Sequence, residues 1–216
     1  MIKFFVCYLL IACSFSFALS LDDVKHELSQ SFISEDSLEM KFTTTILSPM
    51  IGTQTMESYS VRKGPHRIYF ELKNSLMNQR MIVSGERIKI VDLNSKFETI
   101  VKNNGQFTSI MQNPELSSNP FEKGTWKEPV FDSESIYKIE GDSTVCYYDE
   151  KKKQLVKIEH VTNKANSLIT FEYNPSTKRL SAMRISLLID SKETKIEILF
   201  TKYQNSKEFP DRFFEF

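Results

Sequence analysis

The chain has 216 residues, which is enough for one domain with a substantial hydrophobic core. Its 28 basic residues balance its 28 acidic residues, and this balance argues against nucleic-acid binding, which normally shows a basic excess. The six glycines form no phosphate-cradling loop, and the sequence contains no HExxH, GxSxG or CxxC motif. We therefore expect neither an enzyme nor a cofactor or metal site.

The N-terminal segment has the pattern of a secretory signal. Residues 4–17 are almost entirely apolar, and Ala18-Leu19-Ser20 is typical of a signal-peptidase site. The tetrapeptide LIAC, which ends at Cys13, also resembles a lipobox, in which that cysteine would carry lipid. Cleavage there would leave an apolar mature N-terminus, so we favour cleavage after Ser20. The sequence therefore predicts a signal peptide over 1–20, a single domain over 21–216 and export to the bacterial periplasm.

Loss of the signal would remove two of the three cysteines. Cys146 would then be the remaining one, and no intramolecular disulfide could form. We expect Cys146 to be a small buried hydrophobic residue rather than a nucleophile.

The mature chain opens with a predicted amphipathic helix. Leu21, Val24 and Leu28 follow helical spacing, and Asp22 and Asp23 stand at the start, where carboxylates complement the helix dipole. Polar residues occupy the other faces, so the apolar stripe is narrow.

After Ser34 the period of the apolar residues changes from 3.6 to 2. In SLEMKFTTTIL, Met40 and Phe42 lie on one face, whereas Glu39 and Lys41 lie on the other. The same alternation recurs in RIYFEL, ERIKIVD and TKIEILF, which are separated by turn signals. We predict ten or eleven antiparallel strands in a sheet that curls or closes. Its apolar face is the predicted ligand site, with the residues Met40, Phe42, Ile68, Phe70, Ile88, Ile90, Ile196, Ile198 and Phe200.

Two segments could cover that apolar face. One is the N-terminal helix, through Leu21, Val24 and Leu28. The other is the non-strand stretch 105–126, which places three apolar residues at i, i+3 and i+4, namely Phe107, Ile110 and Met111. Prolines at 114 and 120 prevent a long helix, so we predict one or two short helical turns that form a lid.

Several segments follow one another in a characteristic order. The helix precedes the strand LEMKFTTTI, the turn at residues 63–65, the segment IVSGERIKIVD at 82–92 and the tail FPDRFFEF at 209–216. This order resembles the LolA-type periplasmic lipoprotein carriers. Where those carriers have an arginine directly before the turn proline, this chain has Gly64. The resemblance implies a mainly β, unclosed antiparallel half-barrel of about eleven strands, with helices over its apolar mouth.

The resemblance also implies a function. Such a carrier takes the acyl chains of a lipoprotein at the inner membrane, shields them in the periplasm and delivers them at the outer membrane. Its implied partners are acylated lipoproteins or other envelope lipids, an inner-membrane ABC transporter and an outer-membrane receptor, and the carrier itself is expected to be a monomer. Two alternatives stay open: an outer-membrane receptor of the same fold, lipidated at Cys13, and a periplasmic sensor or structural module that binds envelope lipid or protein without transport.

Overall fold

The computed structural model describes most of the predicted domain. The described residues are 19–31, 37–64, 66–103, 120–122, 124–162, 165–205 and 209–216. Three predicted lid residues, Phe107, Ile110 and Met111, lie outside these ranges, as do Cys13 and the rest of residues 1–18.

Thirteen strands in the described residues form one antiparallel sheet. They are β1 (Ser37–Ser48), β2 (Gly52–Lys63), β3 (Arg67–Lys73), β4 (Asn78–Ser84), β5 (Arg87–Asp92), β6 (Glu98–Lys102), β7 (Val130–Ser133), β8 (Ile136–Glu140), β9 (Thr144–Asp149), β10 (Gln154–Val161), β11 (Ala165–Tyr173), β12 (Leu180–Ile189) and β13 (Lys192–Asn205). The sheet is an open half-barrel, so the predicted fold class is confirmed. Strands β6 and β7 are short and largely exposed, and for that reason apolar alternation does not mark them.

The chain enters the sheet at its centre. β1 pairs with both β2 and β13, and the strands then follow sequence order from β2 to the edge at β6. From β7 at the opposite edge they return in sequence order to β13. Apart from β1 and β13, the strands that are neighbours in the sheet are therefore also consecutive in the sequence. The pairing of the first strand with the last one joins the two halves of the sheet.

Helix α1 (Leu21–Ser31) packs on one face of the strands β8 to β12, which we call the inner face. The helix begins with a capping box, in which the Asp23 N–H donates to Ser20 Oγ (3.1 Å) and the Ser20 N–H donates to an Asp23 carboxylate oxygen (3.2 Å). Its apolar stripe is buried in a cluster with strand residues that include Ile139, Cys146, Tyr148, Ile158, Ile169 and Met183. Cys146 is fully buried, as the sequence predicts.

The C-terminal residues cover part of the opposite face, which we call the outer face. A 3-10 helix at Asp211–Phe214 buries Phe214 in a cluster with three strand residues, Val61, Tyr69 and Ile82. Asp211 accepts hydrogen bonds from Lys63 (2.7 Å) and Arg67 (2.9 Å), which fix this helix on β2 and β3. The alternation assigns Tyr69 to the polar face, yet the tail leaves it only 8% exposed.

Candidate functional site: the inner face of the half-barrel

The strands at the centre of the sheet place predicted ligand residues beside the helix-covered core. Ile198 pairs with Met183, which is buried in the core cluster under α1, so Ile198 lies on the inner face. Phe42 pairs with Phe200, and the centroids of their rings are 5.6 Å apart. Ile196 pairs with Ile46 at the next inner position. These residues form the centre of an apolar floor.

The strands β1 to β5 extend this floor in two rows of cross-strand partners. The first row consists of Met40, Ser60, Phe70, Met81 and Ile90. The second row consists of Leu38, Arg62, Ile68, Val83 and Ile88. All nine residues predicted from the alternation thus share the inner face.

Burial differs between the two halves of the inner face. Under helix α1 the strand residues are closely packed, and Ile139, Cys146 and Tyr148 are fully buried. Leu21, Val24 and Leu28, which were predicted as lid residues, are part of this packed core. The other half is mixed: Ile68, Val83 and Ile88 form a small buried cluster, whereas the other seven of the nine predicted ligand residues are only half-buried. Of these seven, Ile198 and Phe200 pack against the core under α1. The candidate groove therefore lies over β13 and β1 to β5.

Two serines of β2 make the layer of inner-face side chains thinner along that strand. Ser58 pairs with Phe42 and Leu72, and Ser60 pairs with Met40 and Phe70. A serine among large apolar neighbours occupies less volume than they do, and Ser58 and Ser60 are themselves buried between those neighbours. The sequence analysis missed these positions because GTQTMESYSVRK shows no apolar alternation; only its place between two apolar strands reveals them.

Arg62 brings a charged side chain to one end of the inner face. It is 8% exposed, and its Nε donates to the Gly64 carbonyl at 3.3 Å. Lys63 points to the outer face instead, where its Nζ donates to Asp211. Gly64 has a φ of 64°, a left-handed conformation that disfavours an arginine at that position. Of the two arginines that flank this turn, Arg62 therefore lies on the inner face, whereas Arg67 contacts Asp211 on the outer face.

Among the described residues, the side chains at the centre of the groove carry no charge at neutral pH. Tyr203 pairs with Met40, and its ring centroid is 5.4 Å from that of Phe200. Burial raises the pKa of Tyr203, and burial together with the neighbouring Tyr203 raises the pKa of Tyr173. The Tyr173 hydroxyl donates to the Leu155 carbonyl at 2.7 Å. Both phenols stay neutral, which suits an apolar ligand.

Two open depressions on the described surface lie on the outer face and are crossed by ion pairs. One, of about 370 Å³, lies beside the C-terminal tail and contains the Lys89–Glu98 pair, with nitrogen and oxygen 2.8 Å apart. The other, of about 330 Å³, contains the Arg184–Glu197 pair at 2.9 Å. Hydrocarbon in the first depression would have to desolvate these charges. The second depression has a mostly apolar lining, with its ion pair beside it. The inner face carries the longer continuous row of apolar side chains, so it is the better candidate for an acyl ligand.

Neither a metal centre nor a membrane helix is found in the part of the chain that the structure describes. No cluster of His, Cys, Asp and Glu side chains there could hold a metal ion. None of its helices combines the length and the apolar composition needed to cross a bilayer.

Solved structures share this arrangement of strands and helix. A LolA superfamily protein from Nitrosomonas europaea matches with a TM-score of 0.55 and 12% identity, over 92% of this chain and 98% of that one. The fold is that of the LolA superfamily. A putative outer membrane lipoprotein-sorting protein domain from Vibrio parahaemolyticus matches with a TM-score of 0.55 and 11% identity, over 89% of this chain and 94% of that one.

A third solved structure carries a different description. It is a DUF1329 family protein from Desulfovibrio piger, with a TM-score of 0.55 and 10% identity, over 89% of this chain and 95% of that one. No family model and no curated protein matches the sequence. The resemblance read from the order of the motifs is thus confirmed at the level of the fold.

Proposed function

We propose that this protein binds the acyl chains of lipoproteins on the inner face of its half-barrel and carries them through the periplasm from the inner to the outer membrane. The observation that carries the proposal is the row of half-buried apolar side chains across β13 and β1 to β5, next to a half that α1 already fills. The neighbour from Vibrio parahaemolyticus, described as a lipoprotein-sorting protein domain, supports the same class of ligand.

Transfer of hydrocarbon between apolar hosts explains how such a groove works. Each methylene removed from water stabilises the complex by about 0.8 kcal/mol, so acyl chains stay with the protein until a membrane or a receptor offers equal burial. Met40, Met56 and Met81 contribute flexible side chains that can adapt to different chains. An adaptable groove also allows the cargo to leave.

The carrier role defines the proposed partners and location. The cargo is an acylated lipoprotein or another envelope lipid, supplied by an inner-membrane ABC transporter and accepted by an outer-membrane receptor. The protein acts in the periplasm as a monomeric binding protein, without catalysis. An outer-membrane receptor lipidated at Cys13, or a sensor that binds lipid without transport, would use the same groove but would not release cargo between membranes.

Three alanine variants test where acyl chains bind. Ile198→Ala removes a groove side chain, Glu197→Ala changes its neighbour on the outer face, and Ile158→Ala removes a side chain from the packed half, where Ile158 is 3% exposed. Each is assayed by urea unfolding and by binding of a fluorescent fatty acid or a triacylated peptide. Ile158→Ala should cost about 2–5 kcal/mol of stability, as core truncations do, and leave probe affinity unchanged.

Ile198→Ala should cost clearly less stability than Ile158→Ala and should weaken probe binding, because Ile198 lines a partly open groove. Glu197→Ala should change neither property much. If wild-type protein binds no acyl probe, or if Ile198→Ala behaves like the packed-core variant without affecting the probe, the groove assignment is wrong.

A further inference from the structure

Large apolar side chains are exposed at the turns of several hairpins. They belong to the β1–β2, β3–β4, β5–β6, β10–β11 and β12–β13 connections, and we call them the apolar rim: Met50, Ile51, Leu76, Phe97, Val161 and Ile189. Leu76 is 81% exposed and Met50 is 78% exposed, so these side chains project into solvent. Apolar side chains scattered singly over a surface are ordinary, so what calls for an explanation here is that these six are concentrated at the hairpin turns.

Strand pairing puts these turns at the same end of the sheet. Ser48 pairs with Gly52 at the β1–β2 turn, and Thr194, next to the β12–β13 turn, donates from its hydroxyl to Ser48 Oγ at 3.3 Å. Ile189 pairs with Ala165 at the β10–β11 turn. On the other side, the Leu93 N–H donates to the Asn78 carbonyl (2.7 Å), which joins the β5–β6 and β3–β4 turns.

The opposite end of the sheet has a different character. Its turns lie at 64–66, 85–86, 134–135, 150–153 and 174–179, and none of the exposed large hydrophobic side chains of the described residues is in them. They contain charged runs instead, such as Glu150-Lys151-Lys152-Lys153. In the described turns, exposed large apolar side chains are therefore confined to one end of the sheet, although the β8–β9 turn at that end carries Asp142. We call the opposite end the charged end.

We propose that the apolar rim docks on the surface of a lipid bilayer, with the hairpin tips inserted among the lipids at the interface. The rim consists of separate apolar tips with serine, threonine and asparagine between them, rather than one continuous patch. A fluid lipid surface accommodates such separated tips, whereas a protein partner would need a matching pocket for each. Docking by this end does not depend on what the groove binds.

The charge pattern and the position of the groove favour the same occupant. Residues 48–54, at the tip with Met50 and Ile51, include no charged side chain, whereas the other described turns of this end carry both signs, with Asp92, Lys96, Asp142, Asp190 and Lys192. Insertion should therefore depend on apolar burial rather than on anionic headgroups. Ile46 and Ile196 on the inner face lie next to this end, so the groove opens toward the docked membrane.

Brominated lipids test which end of the molecule contacts the bilayer. Full-length Ile51→Trp protein and Lys151→Trp protein, which carries the added tryptophan at the charged end, are mixed with phosphatidylcholine vesicles that contain brominated acyl chains. The signal of the single native tryptophan, Trp126, is subtracted using wild-type protein. We expect quenching of the tryptophan at 51 and not of the one at 151. Equal quenching at both positions, or quenching only at 151, would overturn the proposal.

Vesicle flotation tests whether the rim drives docking. Met50→Ser/Ile51→Ser should weaken partitioning roughly tenfold or more, because two large apolar side chains lose their burial. The matched control is Val130→Ser/Phe131→Ser on edge strand β7, where both side chains are similarly exposed (64% and 59%). The control should partition into vesicles like wild type. Added salt should change the partitioning of the wild-type protein little.

Outcomes that overturn the proposal are distinct from failure of the groove. If the Met50→Ser/Ile51→Ser variant partitions into vesicles like wild type, docking by the rim is ruled out. The same holds if the β7 control loses as much partitioning as that variant. If the protein self-associates without lipid, and the rim substitutions abolish this self-association, the rim would bind a second copy of the chain instead of a bilayer. If wild-type protein does not bind the acyl probe, the carrier function is refuted. The vesicle experiments would still test docking by the rim on their own.

Discussion

At the scale of single residues, Glu39 stabilises the centre of the sheet. This carboxylate on the outer face of β1 is 7% exposed and accepts hydrogen bonds from Lys202 Nζ (2.7 Å), the Tyr59 hydroxyl (3.0 Å) and Gln204 Nε2 (3.2 Å). Burial by itself would raise the pKa of Glu39, but the hydrogen bonds from Lys202 and Tyr59 outweigh it and hold that pKa below its usual value. The contacts connect β1 to both of its neighbours, β2 and β13.

The lowered pKa of Glu39 predicts a stability that depends on pH. The stabilising effect is fully present above the unfolded-state pKa of about 4.3 and is lost as the pH falls through the lower pKa of the folded state. Glu39→Gln should reduce the free energy of unfolding at about pH 7 by about 1–3 kcal/mol and should lessen the further loss below about pH 4. Urea unfolding at several pH values measures both effects.

Glu197→Gln is the matched control, because its pair with Arg184 is exposed (side chains 40% and 46% accessible). Such a pair contributes at most about 1 kcal/mol. Equal losses in the two variants would show that burial of Glu39 is not what gives its contacts their strength.

At the scale of elements, helix α1 is held on the sheet by polar contacts as well as by its apolar stripe. Glu27 accepts hydrogen bonds from the buried Tyr148 hydroxyl and from Lys153 Nζ (2.5 Å). Burial would raise the pKa of Glu27, yet these two partners keep it below its usual value. At the other end of the helix, the Leu21 N–H donates to Glu128 Oε2 at 2.9 Å. The helix is therefore part of the packed half rather than a separate cover.

The contact between Leu21 and Glu128 yields a prediction about processing. Cleavage after Ser20 would remove the helix cap and turn the Leu21 nitrogen into an ammonium beside a carboxylate. The ammonium would stand at the positive end of the helix dipole, where the Glu128 carboxylate offsets its charge. That attraction is present while the amine is protonated, below its unfolded pKa of about 7.7–8.0, and is lost at alkaline pH. Glu128→Gln should destabilise a chain that begins at Leu21 by about 0.2–1 kcal/mol near neutral pH, and by less at alkaline pH.

Thermal unfolding measures this difference, with the chain that begins at Met1 as the control, since its Leu21 nitrogen is a neutral amide. N-terminal sequencing of the exported protein should begin at Leu21. Acyl mass on Cys13, with sensitivity to an inhibitor of the lipoprotein signal peptidase, would contradict the predicted cleavage and favour the anchored receptor.

At the scale of the whole molecule, the pairing of β1 with β13 makes one sheet of two meanders. The two strands are at opposite ends of the domain sequence, so their pairing requires a long-range closure of the chain. Damage to β13 should therefore separate the halves, whereas damage to an edge strand should stay local.

Proline substitutions at exposed positions test this asymmetry. Leu199 in β13 pairs with both Thr43 and Ala182, and its side chain is 43% exposed, whereas Ile100 in edge strand β6 is 56% exposed and pairs only with Lys89. Leu199→Pro should cost about 3 kcal/mol or more and reduce cooperative unfolding, because proline cannot donate in a central strand. Ile100→Pro should cost clearly less. Urea unfolding with circular dichroism compares them, and equal costs would argue against a central role for β13.

The order of apolar and polar residues in the sequence is enough to assign which residues of a strand share a face. Alternation is a local property of the backbone, so Met40, Phe70 and Ile198 could be assigned to one apolar face before any pairing was known. Helical spacing likewise predicted the start of α1 and its apolar stripe. Period alone says nothing about what covers a face, since the cover comes from distant parts of the chain.

Which half of the inner face α1 fills, and which half is the candidate groove, follows from contacts between distant parts of the chain. Helix α1 packs over β8 to β12, the C-terminal tail buries Tyr69 on the outer face, and pairing of β2 with β1 and β3 brings Ser58 and Ser60 into the floor. The apolar rim likewise emerges only when strand register brings separate turns to one end of the sheet. These features depend on contacts between residues far apart in sequence, and such contacts leave no local periodic signal.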